Sequence, residues 1–229
     1  MRSCFSGARL SRRNLLHFSV SAGLLLAGAP FAGAATATAT GTGTPREVLV
    51  VGDSISAEFG LARGTGWVAL LGDRLARQKP GYTAVNASIS GDTTAGGLAR
   101  LPTLLKQKPA VVILELGGND ALRGLPLAQS RRNLDAMVML AQAAGARVMI
   151  AGIEVPPNYG RQYTQQFAQM YADVAGTHHL PLVPSVVKGI ADRPDADDWF
   201  QADRIHPVAR AHPIILDNVW PALQPLLEP

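Results

Sequence analysis

The stretch Val48-Leu49-Val50-Val51-Gly52-Asp53-Ser54 decides how the rest of the chain reads. Four consecutive aliphatic residues without alternation describe a strand with apolar neighbours on both faces, as in a parallel sheet covered on each side. Gly52-Asp53-Ser54 closes it with turn-forming residues. The pattern recurs at Val111 to Leu116, Arg147 to Ile153 and Leu180 to Val183, with a weaker copy at Tyr82 to Val85. Between these runs, apolar spacing near 3.6 predicts helices over Trp67 to Gln78, Leu98 to Lys106, Leu127 to Ala144 and Arg161 to Ala175. A last helix is expected over Val208 to Leu227, interrupted by Pro213 and Pro221. Parallel neighbours need a crossover, here a helix, so the alternation predicts an α/β fold. The expected form is a three-layer α/β/α sandwich around a parallel five-stranded sheet. Ligands of such sheets bind beyond the carboxyl ends of the strands. The residues to inspect are therefore Gly52-Asp53-Ser54, Asn86 to Gly91, Gly117 to Asp120, Glu154 to Tyr159 and the loop ending at His206.

The chain has 229 residues, 47% of them hydrophobic and 17% charged, which fits one domain and excludes a disordered polymer or a membrane bundle. Its net charge of +4 is local. The first 34 residues hold Arg2, Arg9, Arg12 and Arg13 of the 21 basic residues and none of the 17 acidic ones, so the remainder is balanced. Nucleic acid is thereby excluded as an expected partner. Residues 1–34 read as an export signal, with a basic start, an apolar run from Phe18 to Ala27 and Ala32-Gly33-Ala34. Arg12-Arg13-Asn14-Leu15-Leu16 is similar to a twin-arginine address, and an ordinary Sec signal containing Arg-Arg is the alternative. The expected location is periplasmic or secreted, without stable membrane insertion, since no other segment approaches the roughly 18 apolar residues of a span. Residues 35–45 read as a flexible lead-in and 46–229 as the folded domain. Cys4, ahead of the apolar run, is the one cysteine. Disulfides, thiolate metal sites and a cysteine nucleophile are therefore not expected in the mature domain.

Ser54, at a turn after the first strand, can present its hydroxyl as a nucleophile, or it can cap a helix. The α/β-hydrolase elbow is not met, because Ser56 stands where its second glycine would be. Of the histidines beyond the leader, His178 and His179 lie at a predicted helix end, where a cation meets the helix dipole favourably. His212 falls inside the last predicted helix. His206, in Asp203-Arg204-Ile205-His206-Pro207, follows a polar loop and has a carboxylate three residues upstream. That spacing lets Asp203 hold one imidazole nitrogen while the other faces a serine, the alternative being a cap beside a solvated histidine. The Ser54 amide, Gly91 and Asn119 are candidate donors to an oxyanion, or turn residues. Asp53, Asp92 and Asp120 read as loop and cap carboxylates. The phosphate-binding patterns G-x-x-x-x-G-K-[ST] and G-x-G-x-x-G are absent after the first strand.

Gly52-Asp53-Ser54-Ile55, Gly91, Gly117-Gly118-Asn119-Asp120 and Asp203-Arg204-Ile205-His206 resemble, in order, the four blocks of the SGNH (GDSL) hydrolases. The resemblance covers nearly everything from Val48 to the last helix. Asn86 to Thr93, Leu98 to Pro102 and Glu115 to Asp120 look particularly like the bacterial periplasmic thioesterase I/protease I/lysophospholipase group, often called arylesterase. The resemblance implies a flavodoxin-like fold, Ser54 as nucleophile, His206 as base, Asp203 as its orienting partner, and Ser54 NH, Gly91 NH and Asn119 as the oxyanion hole. Ile55 replaces the usual Leu, an apolar exchange expected to affect packing more than chemistry. The expected activity is hydrolysis of carboxylic esters, lysophospholipids among them, and of acyl thioesters, with no metal or organic cofactor. Phe59, Leu122, Ile153 and Tyr159 are candidate walls of an acyl groove. A carbohydrate O-deacetylase on the same scaffold and a non-catalytic lipid- or glycan-binding protein are the alternatives.

Overall fold

The computed structural model describes residues 45–227; the expected leader and nearly all of the lead-in lie outside them. Five strands form one parallel sheet: β1 (Arg46–Gly52), β2 (Tyr82–Asn86), β3 (Val111–Glu115), β4 (Arg147–Ala151) and β5 (Leu182–Val183), in the order β2-β1-β3-β4-β5. The helices are α1 (Trp67–Gln78), α2 (Thr94–Leu104), α3 (Gly118–Leu122), α4 (Leu127–Ala143), α5 (Arg161–Thr177) and α6 (His212–Leu223). In the central strands alternate residues serve two cores. Val48, Val50, Val111 and Ile113 face one, with α1 and α6; Leu49, Val51, Val112 and Leu114 face the other, with α2, α4 and α5. Burial on both faces explains the unbroken aliphatic runs, and the architecture is the expected α/β/α sandwich.

Three boundaries differ from the sequence reading. α2 starts at Thr94, four residues before the predicted Leu98, because the Thr93 hydroxyl accepts from the Gly96 amide at 3.2 Å and caps the helix. Gly96-Gly97 looks like a breaker, yet a side chain at Gly97 would run into Leu116. β5 is shorter than Leu180 to Val183, since Pro181 and Pro184 flank it and cannot donate to a ladder. Pro213 does not interrupt the last helix; it lies in the first turn of α6, where no amide hydrogen is needed, and a short 3₁₀ turn over Ala209–Ala211 precedes it. Pro221 falls inside α6, which ends two residues later and passes into a 3₁₀ turn over Gln224–Leu227.

Candidate active site

All the motif residues stand at the carboxyl edge of the sheet. Ser54 follows β1. Gly91 follows β2, in a loop drawn along β1 by the Ala87 and Ile89 amides, which donate to Val50 and Gly52 carbonyls at 2.9 and 3.1 Å. Asn119 lies in the first turn of α3, just beyond β3. Asp203 and His206 come from the loop before α6. An antiparallel bridge between Phe200 and Pro207 closes that loop, and the Gln201 amide donates to the His206 carbonyl at 2.8 Å. Arg204 turns it with φ 58°.

This topology brings together side chains far apart in sequence. His206 Nε2 lies 2.8 Å from Ser54 Oγ, and His206 Nδ1 lies 2.7 Å from Asp203 Oδ2. The other carboxylate oxygen of Asp203 accepts from the amides of Ile205 at 2.9 Å and His206 at 3.0 Å. Partial burial opposes ionisation of Asp203, but the hydrogen bonds from the His206 ring and backbone and from Ile205 outweigh it and bring the carboxyl down to about 2. An anion fixed at Nδ1 sets the tautomer that leaves Nε2 free to take a proton from Ser54. Phe59 covers the histidine, with ring centroids 4.3 Å apart.

The donor side is equally ordered. Asn119 Nδ2 donates to Asp53 Oδ2 at 3.2 Å, which leaves its second N–H available. Burial raises the Asp53 carboxyl to about 6, against the lowering effects of the Ile55 amide, the His206 charge and Asn119. Asp53 stands in the turn after β1, where its Oδ1 accepts from the Ile55 amide at 3.1 Å. Gly117, at φ 129°, occupies backbone space that suits glycine, and a side chain there would strike the Tyr171 hydroxyl. That hydroxyl donates to the Leu116 carbonyl at 2.9 Å and so pins the turn carrying Asn119. Asp120 ties the Gly91 side to the Asn119 side, accepting from the Thr94 amide at 2.8 Å, the Thr94 hydroxyl at 2.5 Å and the Ser130 hydroxyl at 2.9 Å.

A cavity of about 710 Å³ opens from Ser54 and Asn119. Leu122 and Ile153 line it, together with Ile55, Val155, Val187, Ala191, Phe200 and Ile205. Two expected wall residues do not. Phe59 is engaged on His206, and Tyr159 turns to Tyr163 with centroids 5.7 Å apart. Gly91 also stands outside the cavity lining, and its carbonyl accepts from Arg123 Nη2 at 2.7 Å. The walls from the segment 187–205 were not foreseen, because that segment lacks a periodic pattern.

Two other histidines are occupied elsewhere. His178 closes α5 and pairs with Asp135 at 3.1 Å. His212 is buried and accepts from the Trp67 amide at 3.0 Å through Nδ1, its pKa lowered by that burial. No cluster of metal-ligating side chains occurs among the described residues.

The GDSL-like lipase/acylhydrolase family model matches residues 50–214. Esterase TesA of Pseudomonas aeruginosa is 53% identical over 181 residues, covering 79% of this chain and 89% of that protein. Thioesterase 1/protease 1/lysophospholipase L1 of Escherichia coli is 41% identical over 181 residues, 79% of this chain and 84% of that one. The crystal structure of the psychrotrophic esterase EstA from Pseudoalteromonas sp. superposes with a TM-score of 0.73 at 37% identity, covering 80% of this chain and 98% of that chain. With the family's blocks in order along a matching fold, the chain belongs to the GDSL-like lipase/acylhydrolase family.

Proposed function

We propose that this chain is a serine hydrolase of carboxylic esters, acting through an acyl-enzyme, with acyl thioesters and lysophospholipids within its reach. The observation that carries the reading is the relay Ser54 Oγ to His206 Nε2 at 2.8 Å and His206 Nδ1 to Asp203 at 2.7 Å, set at the mouth of an apolar cavity. The names of its relatives, esterase and thioesterase/lysophospholipase, agree with it.

In this mechanism Ser54 Oγ attacks the acyl carbonyl while its proton passes to His206 Nε2. Asp203 holds the Nδ1–H and stabilises the imidazolium. The oxyanion rests on the Ser54 amide, the Gly91 amide and the free N–H of Asn119; among the described residues neither of those amides has a protein partner. Collapse of the intermediate expels the alcohol or thiol, which takes the proton from His206. Water then repeats the sequence on the acyl-enzyme and frees Ser54. No step requires a metal or organic cofactor. The leader in residues 1–34 would deliver the protein to the periplasm or beyond by the twin-arginine or Sec route. Among the described residues no helix is long and apolar enough to cross a membrane.

Apolar walls favour an acyl chain over an acetyl group, since each buried CH₂ contributes about 0.8 kcal/mol. Hydrolysis of p-nitrophenyl esters from acetyl to palmitoyl, with Ser54→Ala in parallel, tests the proposal. Turnover that is lost in Ser54→Ala and favours chains longer than acetyl is expected. An acetyl optimum would move the reading to an O-deacetylase, and no turnover of any ester by folded protein would remove it.

A further inference from the structure

We propose that Glu115 is a positioning residue for this reaction: its carboxyl group, packed beneath the turn Gly52–Ser56, fixes the free amide and the hydroxyl of Ser54 in their working places. The inference rests on the reading of Ser54 as nucleophile.

Glu115 ends the central strand β3 and is fully buried. A carboxyl group in such a place is costly unless it is neutral or well bonded. Its hydrogen-bond partners among the described residues lie in the nucleophile turn. Oε2 accepts from the Ser56 hydroxyl at 2.5 Å and from the Asp53 amide at 3.3 Å. Asp53 takes the Ile55 amide. The amides of Asp53 and Ile55, on either side of Ser54, are thus held by two carboxyl groups, while the Ser54 amide has no protein partner among the described residues. The donor an oxyanion needs is selected by where Glu115 and Asp53 place their oxygens.

Two further contacts make Glu115 an anchor. Trp67 Nε1 donates to Ser56 Oγ at 3.0 Å, so the grip on the turn extends into α1. A Cβ at Gly52 would stand 2.5 Å from Glu115 Oε2, so only a residue without a side chain admits the carboxyl this close to the backbone. Asp53, next in the chain, accepts from Asn119. Two of the three oxyanion donors are therefore referenced to the same pair of carboxyl groups. Burial, and then the charge of Asp53, hold the Glu115 carboxyl well above its ordinary value. Oε1 has no hydrogen-bond partner among the described residues, and Oε2 is the accepting oxygen. Glutamine keeps an acceptor oxygen in that place; leucine removes it.

The test measures kcat and KM for a p-nitrophenyl ester, and melting temperature, for the wild type, Ser54→Ala, Glu115→Gln, Glu115→Leu and Ser56→Ala. Glu115→Leu should lower kcat about tenfold or more with KM within about twofold, and Glu115→Gln should restore kcat to within about threefold of wild type, because misplacing an oxyanion donor acts on the transition state. Ser56→Ala should lower kcat at least about threefold by loosening the same grip, and it carries the test if Glu115→Leu does not fold. A folded Glu115→Leu with wild-type kcat and only a lowered melting temperature would overturn the proposal. So would a Glu115→Gln as slow as Glu115→Leu, or, if the latter does not fold, a Ser56→Ala with unchanged kcat. Turnover surviving Ser54→Ala would instead overturn the nucleophile reading.

Discussion

Asp53 sits one residue before Ser54 with its carboxyl raised by burial to about 6, against an ordinary 3.8. Between those values the folded state holds a proton that the unfolded state has released, so this group's contribution to stability falls as pH rises through the window. Asp53→Asn cannot ionise. Thermal unfolding at pH 4 and pH 7 should therefore show a smaller decline in melting temperature for Asp53→Asn than for wild type; an equal decline would mean that Asp53 titrates normally. Asn119→Ala removes a donor that Asp53 orients, and should lower kcat by about 10² or more with little change in KM. Kinetics with one p-nitrophenyl ester decides it, and an unchanged kcat would leave Asn119 as a turn residue. The positions of Ser54 and Asn119 were legible in the sequence because each stands beside turn residues just past an apolar run, and those of Asp203 and His206 because a carboxylate stands three residues before a histidine. Glu115 was not, since inside Val111 to Leu116 it reads as one polar residue in a strand, and its meaning depends on Ser56 and Trp67 from elsewhere in the fold.

The elements hold these residues through a few close approaches. The Tyr171 hydroxyl reaches from α5 to the Leu116 carbonyl at the end of β3, in a fully buried setting. Tyr171→Phe leaves that carbonyl without its donor, a loss of about 1–3 kcal/mol. Urea unfolding should show it as a lower midpoint at unchanged slope. Strand and helix order could be read directly, because a sheet buried on both faces leaves continuous aliphatic runs and its helices leave a 3.6-residue spacing. The errors fell where a tertiary contact overrides local preference or where a proline suits a helix start instead of breaking it. Gly96-Gly97 belongs inside α2 because Leu116 packs against it, and Pro213 begins α6. The cavity walls were only half legible: Leu122 and Ile153 line it, while Val187, Ala191 and Phe200 come from a segment whose path no periodicity announces.

At the scale of the whole molecule, two apolar cores clamp one sheet and leave its carboxyl edge free for chemistry. The cavity and the relay share that edge, so filling the cavity should alter which acyl chains are accepted without disturbing proton transfer. Ala191→Phe should depress kcat/KM for long-chain p-nitrophenyl esters more than for the acetyl ester; a uniform loss would mean that the acyl chain lies elsewhere. The expected export signal also acts on the whole chain: replacing Arg12 and Arg13 by Lys should block delivery by the twin-arginine route, and undiminished export would indicate Sec. The central claim is that Ser54 carries the acyl group. The most direct measurement is mass spectrometry of the purified protein after reaction with a fluorophosphonate ester. The account predicts one phosphonyl adduct, on the peptide containing Ser54, formed in step with loss of esterase activity. Activity that persists with Ser54 fully modified, or is lost with the adduct on another residue, would contradict it.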